Sequence, residues 1–486
     1  MGWDWREHNR EKVLECLKTG EYEAILTSKE GALDALAYVA YELGVLDAAA
    51  TIQVNRKRDG IPDELLLRTL AVLPFIEAMS LSVAAETLFE DAAVLLKLGY
   101  TAIQIREGFN QRHGTDYESK SEQSFPYHPE VLRQELQKID GDSLAEFRRT
   151  CIGTLFERGL VKGKTYAIDG SGLGGGLYLV GLMAVHRERP LWVNWRVIHA
   201  DQSEKGKEAT VTLEMVDEVR EMAGENAIEW LLMDALYADG PLLARLKYGR
   251  NIDALVCLPE NRRLYEQLRG LLRVASARWH EHLDTRYVAG QKQTRLMRVA
   301  GMDDLNDWDS FLETAQDEFD INDPTLSAYA IESHPMDAPN EKIAWALVST
   351  ASFNSPWKAY TSWRDRWCIE NCGFRELKEG WHLEKALWTF WDITVATARV
   401  TFTLIAYNVA QIAKTKAGER LSKLGIRRLR KEMNRAFGGV PVIVFAQNAF
   451  AVLHIEELVE VLGGFPPQFS FRKTPPPDLA GGGLLS

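Results

Sequence analysis

The feature that most constrains this fold is a change of hydrophobic pattern near residue 165. From there, three short apolar runs follow one another along the chain, at 165–169, 177–185 and 191–199. Two further apolar runs, 228–234 and 254–258, alternate with helix-like stretches. Strands that are first consecutive and then alternate with helices predict an α/β fold, with a mixed sheet flanked by helices.

The chain has 486 residues, which is long enough for two to four domains. Before residue 160, apolar residues recur at three- and four-residue spacing, which predicts helices. We therefore expect five segments: a helical N-terminal DNA-binding or accessory domain at 1–160, a catalytic core at 161–258 and 343–405, a β-rich insertion at 259–342, and a basic helical C-terminal region with a disordered tail at 406–486.

The composition is typical of a soluble globular protein, with 46% hydrophobic and 26% charged residues. Five scattered cysteines do not suggest a disulfide framework and fit a reducing compartment. No apolar run reaches the roughly 18 to 20 residues of a membrane span, and the charged N-terminus does not resemble a signal peptide. The sequence thus predicts a cytoplasmic protein with no membrane partner.

Charge is distributed unevenly along the chain. The formal net charge is −12, yet residues 261–300 and 409–437 are strongly basic, while 301–340 contain no Lys or Arg. Local basic surfaces on an acidic body permit DNA binding. The basic helical tract contains Arg427, Arg428, Arg430 and Lys431. A solvated helix face and a DNA-binding surface are both open interpretations of this tract.

Two aspartates stand at the ends of predicted strands. Asp169 closes one apolar run and precedes a glycine-rich segment, and Asp234 closes another. Ligands of α/β sheets gather at the carboxyl ends of strands, so the two carboxylates could converge. A plain turn aspartate is the alternative for Asp169. The glycine-rich segment 170–175 formally matches a dinucleotide motif, but a strand-like run follows it, which favours a hairpin and no nucleotide cofactor.

A third acidic residue lies in the segment Trp363-Arg-Asp-Arg-Trp-Cys-Ile-Glu370. We predict one long helix over 356–383. On an ideal helix, Trp363, Arg366 and Glu370 share a face. An isolated surface pair of Arg366 and Glu370 is the alternative interpretation.

Together, these motifs resemble bacterial insertion-sequence transposases of the DDE class, in particular those with a tyrosine–arginine–glutamate–lysine signature helix. The likeness rests on the segments around Asp169, Asp234 and Glu370, which are 65 and 136 residues apart in the order that the family shows. The resemblance implies a ribonuclease-H-like core. It also implies metal-dependent cleavage at transposon ends and strand transfer of the 3′-hydroxyl into target DNA.

In such enzymes, carboxylates hold two Mg²⁺ or Mn²⁺ ions that clamp the attacking and leaving oxygens. The resemblance assigns this catalytic and metal-binding role to Asp169, Asp234 and Glu370. It also implies double-stranded DNA as the partner, at transposon ends and target, with a homodimer in the DNA complex. The expected DNA-binding residues are Trp363, Arg366, Arg375, Lys378 and the four basic residues of the C-terminal tract. A non-catalytic DNA-binding or regulatory descendant, or a metal-dependent nuclease, stays open as the alternative.

The sequence departs from the family pattern at two positions. Trp363 stands where tyrosine is usual, and Lys378 is the eighth residue after Glu370, whereas the family lysine is the seventh. One extra residue near 371–373 would restore the spacing if the helix contained a single π-bulge, a feature common at functional sites. We therefore predict a π-bulge at this place.

Overall fold

The computed structural model describes residues 7–27, 31–56, 60–78, 80–101, 104–105, 108–109, 126–186, 189–199, 208–274, 278–288, 291–336, 341–384, 392–416, 424–436, 442–447, 449–453 and 455–463. The chain forms two compact units. One, the sheet unit, is Leu155–Arg375, and the other, the terminal unit, combines Met1–Thr154 with Glu376–Ser486. Residues 376–405, which we assigned to the core from sequence, cluster with the terminal unit.

The strands are β1 (Glu7–His8), β2 (Ala24–Thr27), β3 (Thr165–Gly174), β4 (Leu177–Ala184), β5 (Leu191–His199), β6 (Trp230–Met233), β7 (Asp253–Leu258), β8 (His280–Val288), β9 (Gln291–Leu305), β10 (Leu326–Pro335), β11 (Ile343–Ser349), β12 (Val442–Ala446) and β13 (Ala449–Leu453). The helices are α1 (Arg10–Thr19), α2 (Gly31–Glu42), α3 (Val45–Ala49), α4 (Asp63–Val72), α5 (Leu81–Phe89), α6 (Ala92–Lys97), α7 (Glu130–Leu136), α8 (Gly141–Glu157), α9 (Glu208–Ala223), α10 (Gly240–Arg250), α11 (Arg263–Val274), α12 (Asp309–Phe319), α13 (Pro356–Arg364), α14 (Arg375–Gly380), α15 (Ile393–Lys416), α16 (Ile426–Ala436) and α17 (Ile455–Val461).

The sheet unit is built on one nine-stranded sheet in the order β5-β4-β3-β6-β7-β11-β10-β9-β8. Strands β3, β4 and β5 are antiparallel neighbours, whereas β6 is parallel to both β3 and β7. Helices flank this sheet, with α9 packed against β4 and β5. The predicted mixed α/β sheet is therefore confirmed, and the order of its first five strands is compatible with a ribonuclease-H-like core.

Burial explains why the central strands read as continuous apolar runs. Seven of the eight residues of β4 are buried, so both of its faces are covered. In β5, Trp192 and Trp195 are at most 1% exposed. Gly181 of β4 makes room for the first of these rings, because a Cβ there would lie 2.3 Å from a ring carbon of Trp192.

The predicted insertion is not a separate layer. Strands β8, β9 and β10 continue the same sheet, and β11 joins them to the core by pairing with β7. Residues 286–299 span the end of β8 and the start of β9, which pair as a hairpin. The acidic stretch that follows contains α12, which packs against α10.

The terminal unit contains helices and a second, four-stranded sheet in the order β1-β13-β12-β2. This sheet combines strands from both ends of the chain, which the expectation of mostly helical N- and C-terminal regions did not include. Its strands are two to five residues long, and β1 and β2 are far from β12 and β13 in sequence. Their apolar periodicity is therefore too short to be recognised within one segment.

Helix α15 lies in the core of the terminal unit, packed against α2, α4 and α7. Its residues Ile393–Thr415 have a mean hydropathy of 1.3, so the helix is long and apolar enough for a membrane span by length and composition. The expectation that no such stretch exists was therefore wrong. Since 83% of the apolar window is buried within the protein, the helix has the character of a core helix, and its evidence for a membrane is weak.

Candidate active site

The register of β3 and β6 brings two of the predicted acidic residues together. The parallel pairing joins Thr165–Trp230, Tyr166–Leu231 and Ala167–Leu232. Continuing this register by two residues brings Asp169 level with Asp234, which directly follows β6. Each carboxylate accepts a hydrogen bond from the next backbone N–H, at 2.8 Å for Asp169 and 2.7 Å for Asp234.

Asp169 does not end its strand, contrary to the sequence prediction. Strand β3 continues to Gly174, because residues 170–174 pair with β4 and form the predicted hairpin. Only the pairing with β6 stops before Asp169. The glycine at 170 is required by its neighbour across the hairpin, since a Cβ there would lie 2.3 Å from the ring of Tyr178 and 2.5 Å from its hydroxyl. That space is thus filled by a tyrosine ring.

The segment with Glu370 is not one long helix, as was predicted. Helix α13 ends at Arg364, and the next amides bond three residues back, with Arg366 N to Trp363 O at 3.0 Å. A π-helical segment, Ile369–Phe374, then contains Glu370 and leads into α14. The predicted π-bulge is thereby confirmed.

Packing against the sheet holds the π-helical segment in place. A Cβ on Gly373 would lie 2.8 Å from the ring of Trp192 and 3.0 Å from Met183, so the backbone lies directly against β4 and β5. The rings of Phe374 and Trp192 are 5.1 Å apart. The extra residue of a π-turn allows these two positions to face the sheet while Glu370 stays partly exposed.

Trp363 is buried in this structure, with 6% of its surface exposed. Its indole N–H donates a hydrogen bond of 3.2 Å to the carbonyl of Met233, the residue before Asp234. In this conformation Trp363, which was expected from sequence to bind DNA, links α13 to the end of β6.

Arg366 lies inside the site, with only 3% of its surface exposed. Its Nη1 is 2.6 Å from Glu370 Oε1 and 3.6 Å from Asp169 Oδ2, and the guanidinium lies 5.1 Å from the centre of the Trp363 ring. Within the described chain, Nε and Nη1 make no well-directed hydrogen bond. The guanidinium is thus an internal cation, and it does not reach solvent to bind a phosphate in this conformation.

Asp169, Asp234 and Glu370, which we call the acidic site, share one electrostatic environment. The pKa of Asp169 is raised to about 6, mainly by burial; the charges of Glu370 and Asp234 contribute to this rise, while the hydrogen bond from Gly170 and the Arg366 guanidinium oppose it. A carboxylate with this pKa lacks sufficient positive charge around it. A divalent cation would supply that charge.

Carboxylate oxygens are the donors that hard divalent cations prefer, so the acidic site fits such an ion by donor type and by charge. In this conformation, however, the side chains are too far apart to bind one: among the described residues, no group of three or more His, Cys, Asp or Glu side chains could hold a metal ion. Arg366 supplies the positive charge between Asp169 and Glu370 in this conformation. Binding of a metal ion would therefore require these side chains to rearrange.

Comparison with known proteins bears on the same residues. A family model described as the transposase DDE domain matches residues 196–409. This match supports a DDE transposase. The matched stretch includes Asp234 and Glu370, whereas Asp169 lies before it. A search of curated proteins found no match.

Two of the residues expected to bind DNA in such a transposase follow Glu370. Arg375 is exposed at the start of α14. Lys378 is partly exposed and forms an ion pair of 2.6 Å with Glu384, whereas Leu377 is fully buried. The residue seventh after Glu370 is therefore buried, and the lysine, eighth in sequence, is partly exposed.

The basic tract of α16 is only partly a surface. Arg428 and Lys431 are exposed. Arg427 forms an ion pair of 2.8 Å with Glu77. Arg430, by contrast, is 5% exposed and donates a hydrogen bond of 2.9 Å to the carbonyl of Pro74, so in this conformation it does not lie on the exposed face of α16.

Three side chains near the acidic site escaped the sequence analysis. Glu208 begins α9, Tyr178 lies on β4, and Tyr237 ends the short 3₁₀ turn Ala235–Tyr237 that follows Asp234. Only Glu208 gave a signal, as a carboxylate at the start of an amphipathic helix, and that position is also normal for helix capping. The tyrosines read as ordinary apolar positions of buried elements.

Proposed function

We propose that this chain is an insertion-sequence DDE transposase that cleaves DNA at transposon ends and joins the freed 3′-hydroxyls to target DNA by a cut-and-paste route. The observation that carries this proposal is the proximity of three acidic residues from distant parts of the sequence, since the charges of Asp234 and Glu370 act on Asp169. Asp169 on β3 is level with Asp234 just after β6, and Arg366 bridges Asp169 to Glu370. The transposase DDE domain match supports the same reading.

The acidic site would hold two Mg²⁺ or Mn²⁺ ions through the carboxylates of Asp169, Asp234 and Glu370. When bound, such ions supply Lewis acidity and orient the attacking and leaving oxygens of the phosphodiester. The contribution of the chain is to fix these carboxylates on strands and on a helical segment packed against the sheet. Rigid elements hold catalytic groups more accurately than loops do.

DNA binding in this proposal uses the cations that lie at the surface and one that lies inside. Arg375, Lys378, Arg428 and Lys431 would bind backbone phosphates without reading sequence. Arg366 would turn from the carboxylates to a phosphate once metal ions neutralise the acidic site. We further propose that the protein acts as a homodimer on two transposon ends.

The decisive experiment is an excision assay on a plasmid that contains the native DNA flanking this gene. The purified full-length protein is incubated with Mg²⁺ or with EDTA, beside Asp234→Asn, Glu370→Gln and a control, Glu214→Gln, on an exposed position of α9. We expect Mg²⁺-dependent excision by the wild type and the control. In the other two variants excision should fall by about three orders of magnitude, about 4 kcal/mol in activation free energy.

Other outcomes would point to the alternatives. Binding of the flanking DNA without cleavage by the wild type would favour a regulatory DNA-binding protein. Cleavage without joining to target DNA would favour a metal-dependent nuclease. Excision that survives both Asp234→Asn and Glu370→Gln would contradict the assignment of the acidic site.

A further inference from the structure

A buried carboxylate outside the acidic site lies close to it. Glu208 is the first residue of α9 and is only 7% exposed. Helix α9 packs against β4 and β5, and β4 pairs with the strand of Asp169. A buried carboxylate costs free energy relative to an uncharged side chain of similar shape. Such a group is therefore expected to interact with a positive charge or a hydrogen-bond donor in its surroundings.

The phenol of Tyr237 connects Glu208 to the acidic site. Tyr237 is 2% exposed, and its hydroxyl is within hydrogen-bonding reach of the Glu208 carboxylate. Its pKa is raised well above the usual value, first by burial and then by the negative charges of Glu208 and Asp169. The hydroxyl therefore stays protonated and can donate to Glu208.

A second phenol, that of Tyr178, lies between the same groups. Its ring covers Gly170, the residue next to Asp169. Its pKa is raised to about 12, mainly by burial and then by the charges of Glu208, Asp169 and Asp234. Two phenols from different elements thus experience the charge of Glu208 together with that of Asp169, which brings Glu208 into the surroundings of the acidic site.

We infer that Glu208 is a fourth acidic residue of this site, which increases its affinity for divalent cations, and that the hydroxyl of Tyr237 positions it. The ligand class is a hard divalent cation with its bound water, because the groups offered are carboxylate oxygens and phenolic donors. Glu208 acts as a positioning residue: it adds negative charge and accepts hydrogen bonds from groups around the ion. This inference rests on the proposed function, in which the acidic site binds metal ions.

Outer partners of metal sites typically contribute 10- to 100-fold to metal affinity. Removing the charge of Glu208 without changing its shape should therefore weaken cation binding by about tenfold or more. The effect of Tyr237→Phe should be smaller, about threefold, because it removes one hydrogen bond and no charge.

The test is a titration of the full-length protein with Mn²⁺ alone, without DNA, in which free Mn²⁺ is followed by electron paramagnetic resonance. Glu208→Gln is compared with the wild type, with Glu214→Gln as the matched control on the same helix, and with Asp234→Asn as the reference for loss of the site. We expect weaker binding in Glu208→Gln and Asp234→Asn, and wild-type binding in the control. Thermal unfolding without metal checks that each variant is folded.

The possible outcomes separate this inference from the proposed function. Wild-type Mn²⁺ affinity in Glu208→Gln, beside weakened binding in Asp234→Asn, would overturn the inference and leave the metal site in place. Wild-type affinity in Asp234→Asn as well would overturn both. If Glu208→Gln does not fold, Tyr237→Phe carries the test, and wild-type affinity in that variant would overturn the inference.

Discussion

Two arginines are buried in this protein in similar ways but beside different partners. Arg366 lies 5.1 Å from the centre of the Trp363 ring, and Arg430 lies 5.2 Å from that of Trp381. Arg366 faces the carboxylates of Glu370 and Asp169, whereas Arg430 donates to the carbonyl of Pro74. Each was predicted from sequence to bind DNA phosphates.

The difference between their partners matters for the proposed function. Carboxylates can exchange one cation for another, so in that proposal a metal ion would take the place of the Arg366 guanidinium. A backbone carbonyl in a packed unit offers no comparable exchange, and Arg430 is expected to stay in place. Burial alone therefore does not tell whether an arginine takes part in function; the chemistry of its partner does.

The largest expected effect concerns pH and the acidic site. Since the folded-state pKa of Asp169 is raised to about 6 from 3.8, the folded protein binds this proton more tightly than the unfolded chain. Its contribution to stability is therefore greatest at low pH and is lost as pH rises from about 4 to 6, by up to about 3 kcal/mol. Asp169→Asn should lose this dependence, measured in EDTA as the difference from wild type in thermal unfolding at each pH.

The opposite pH dependence of the stability difference between Asp169→Asn and wild type would contradict the contrast between Arg366 and Arg430. A variant that becomes relatively less stable as pH rises would mean that Arg366 and the backbone N–H hold the Asp169 charge firmly. In that case the acidic site would have no deficit of positive charge, and its exchange with a metal ion would lose its electrostatic basis.

The second effect concerns Arg430. Arg430→Met should destabilise the protein by about 2 to 3 kcal/mol, because it leaves the Pro74 carbonyl without its donor and removes the cation from the Trp381 ring. Thermal unfolding measures the change. The matched control is Arg428→Met on the exposed side of the same helix, for which we expect a change within about 0.5 kcal/mol. Equal effects in both variants would contradict a structural role that is specific to Arg430.

The smallest expected effect is on metal affinity, and it tests the role of Arg366 directly. Arg366→Gln removes the positive charge that competes with a metal ion, so Mn²⁺ affinity without DNA should rise about tenfold, or about 1.4 kcal/mol. The control is Arg364→Gln, which removes a charge from the same segment but is paired with Asp284 at 3.2 Å. Unchanged or weaker Mn²⁺ binding in Arg366→Gln would show that the guanidinium does not compete for the site.

Most of the sheet unit could be predicted from sequence because its strands are apolar runs bounded by turns. The predicted strand at 191–199 coincides with β5, and the predicted runs at 177–185 and 254–258 match β4 and β7 within one residue at each end. The sheet of the terminal unit could not be found in this way. Its strands are brought together from residues near 10 and near 450, and no local pattern encodes that pairing.

The acidic site was predictable in part. The carboxyl ends of parallel strands meet at one edge, so the pairing of Asp169 with Asp234 followed from two apolar runs and their order. Lys378, one residue late, indicated the π-helical segment near Glu370. The inward position of Arg366 could not be foreseen, because periodicity places a side chain on a face of a helix and does not say what covers that face.

The pairing of β7 with β11 has a consequence for how this chain can change in length. Leu258 at the end of β7 lies opposite Ala346 in β11, so residues 259–342 start and end at the same place in the sheet. An insertion or deletion there would leave the register of Asp169 and Asp234 untouched. It could still change the position of Glu370, because α13, which precedes Glu370 in the chain, packs against β9 and β10. In the same region the ring of Trp357 stacks on that of His282, with centroids 3.8 Å apart. A change of length between β7 and β11 could thus shift Glu370, while Asp169 and Asp234 would keep their positions on the sheet.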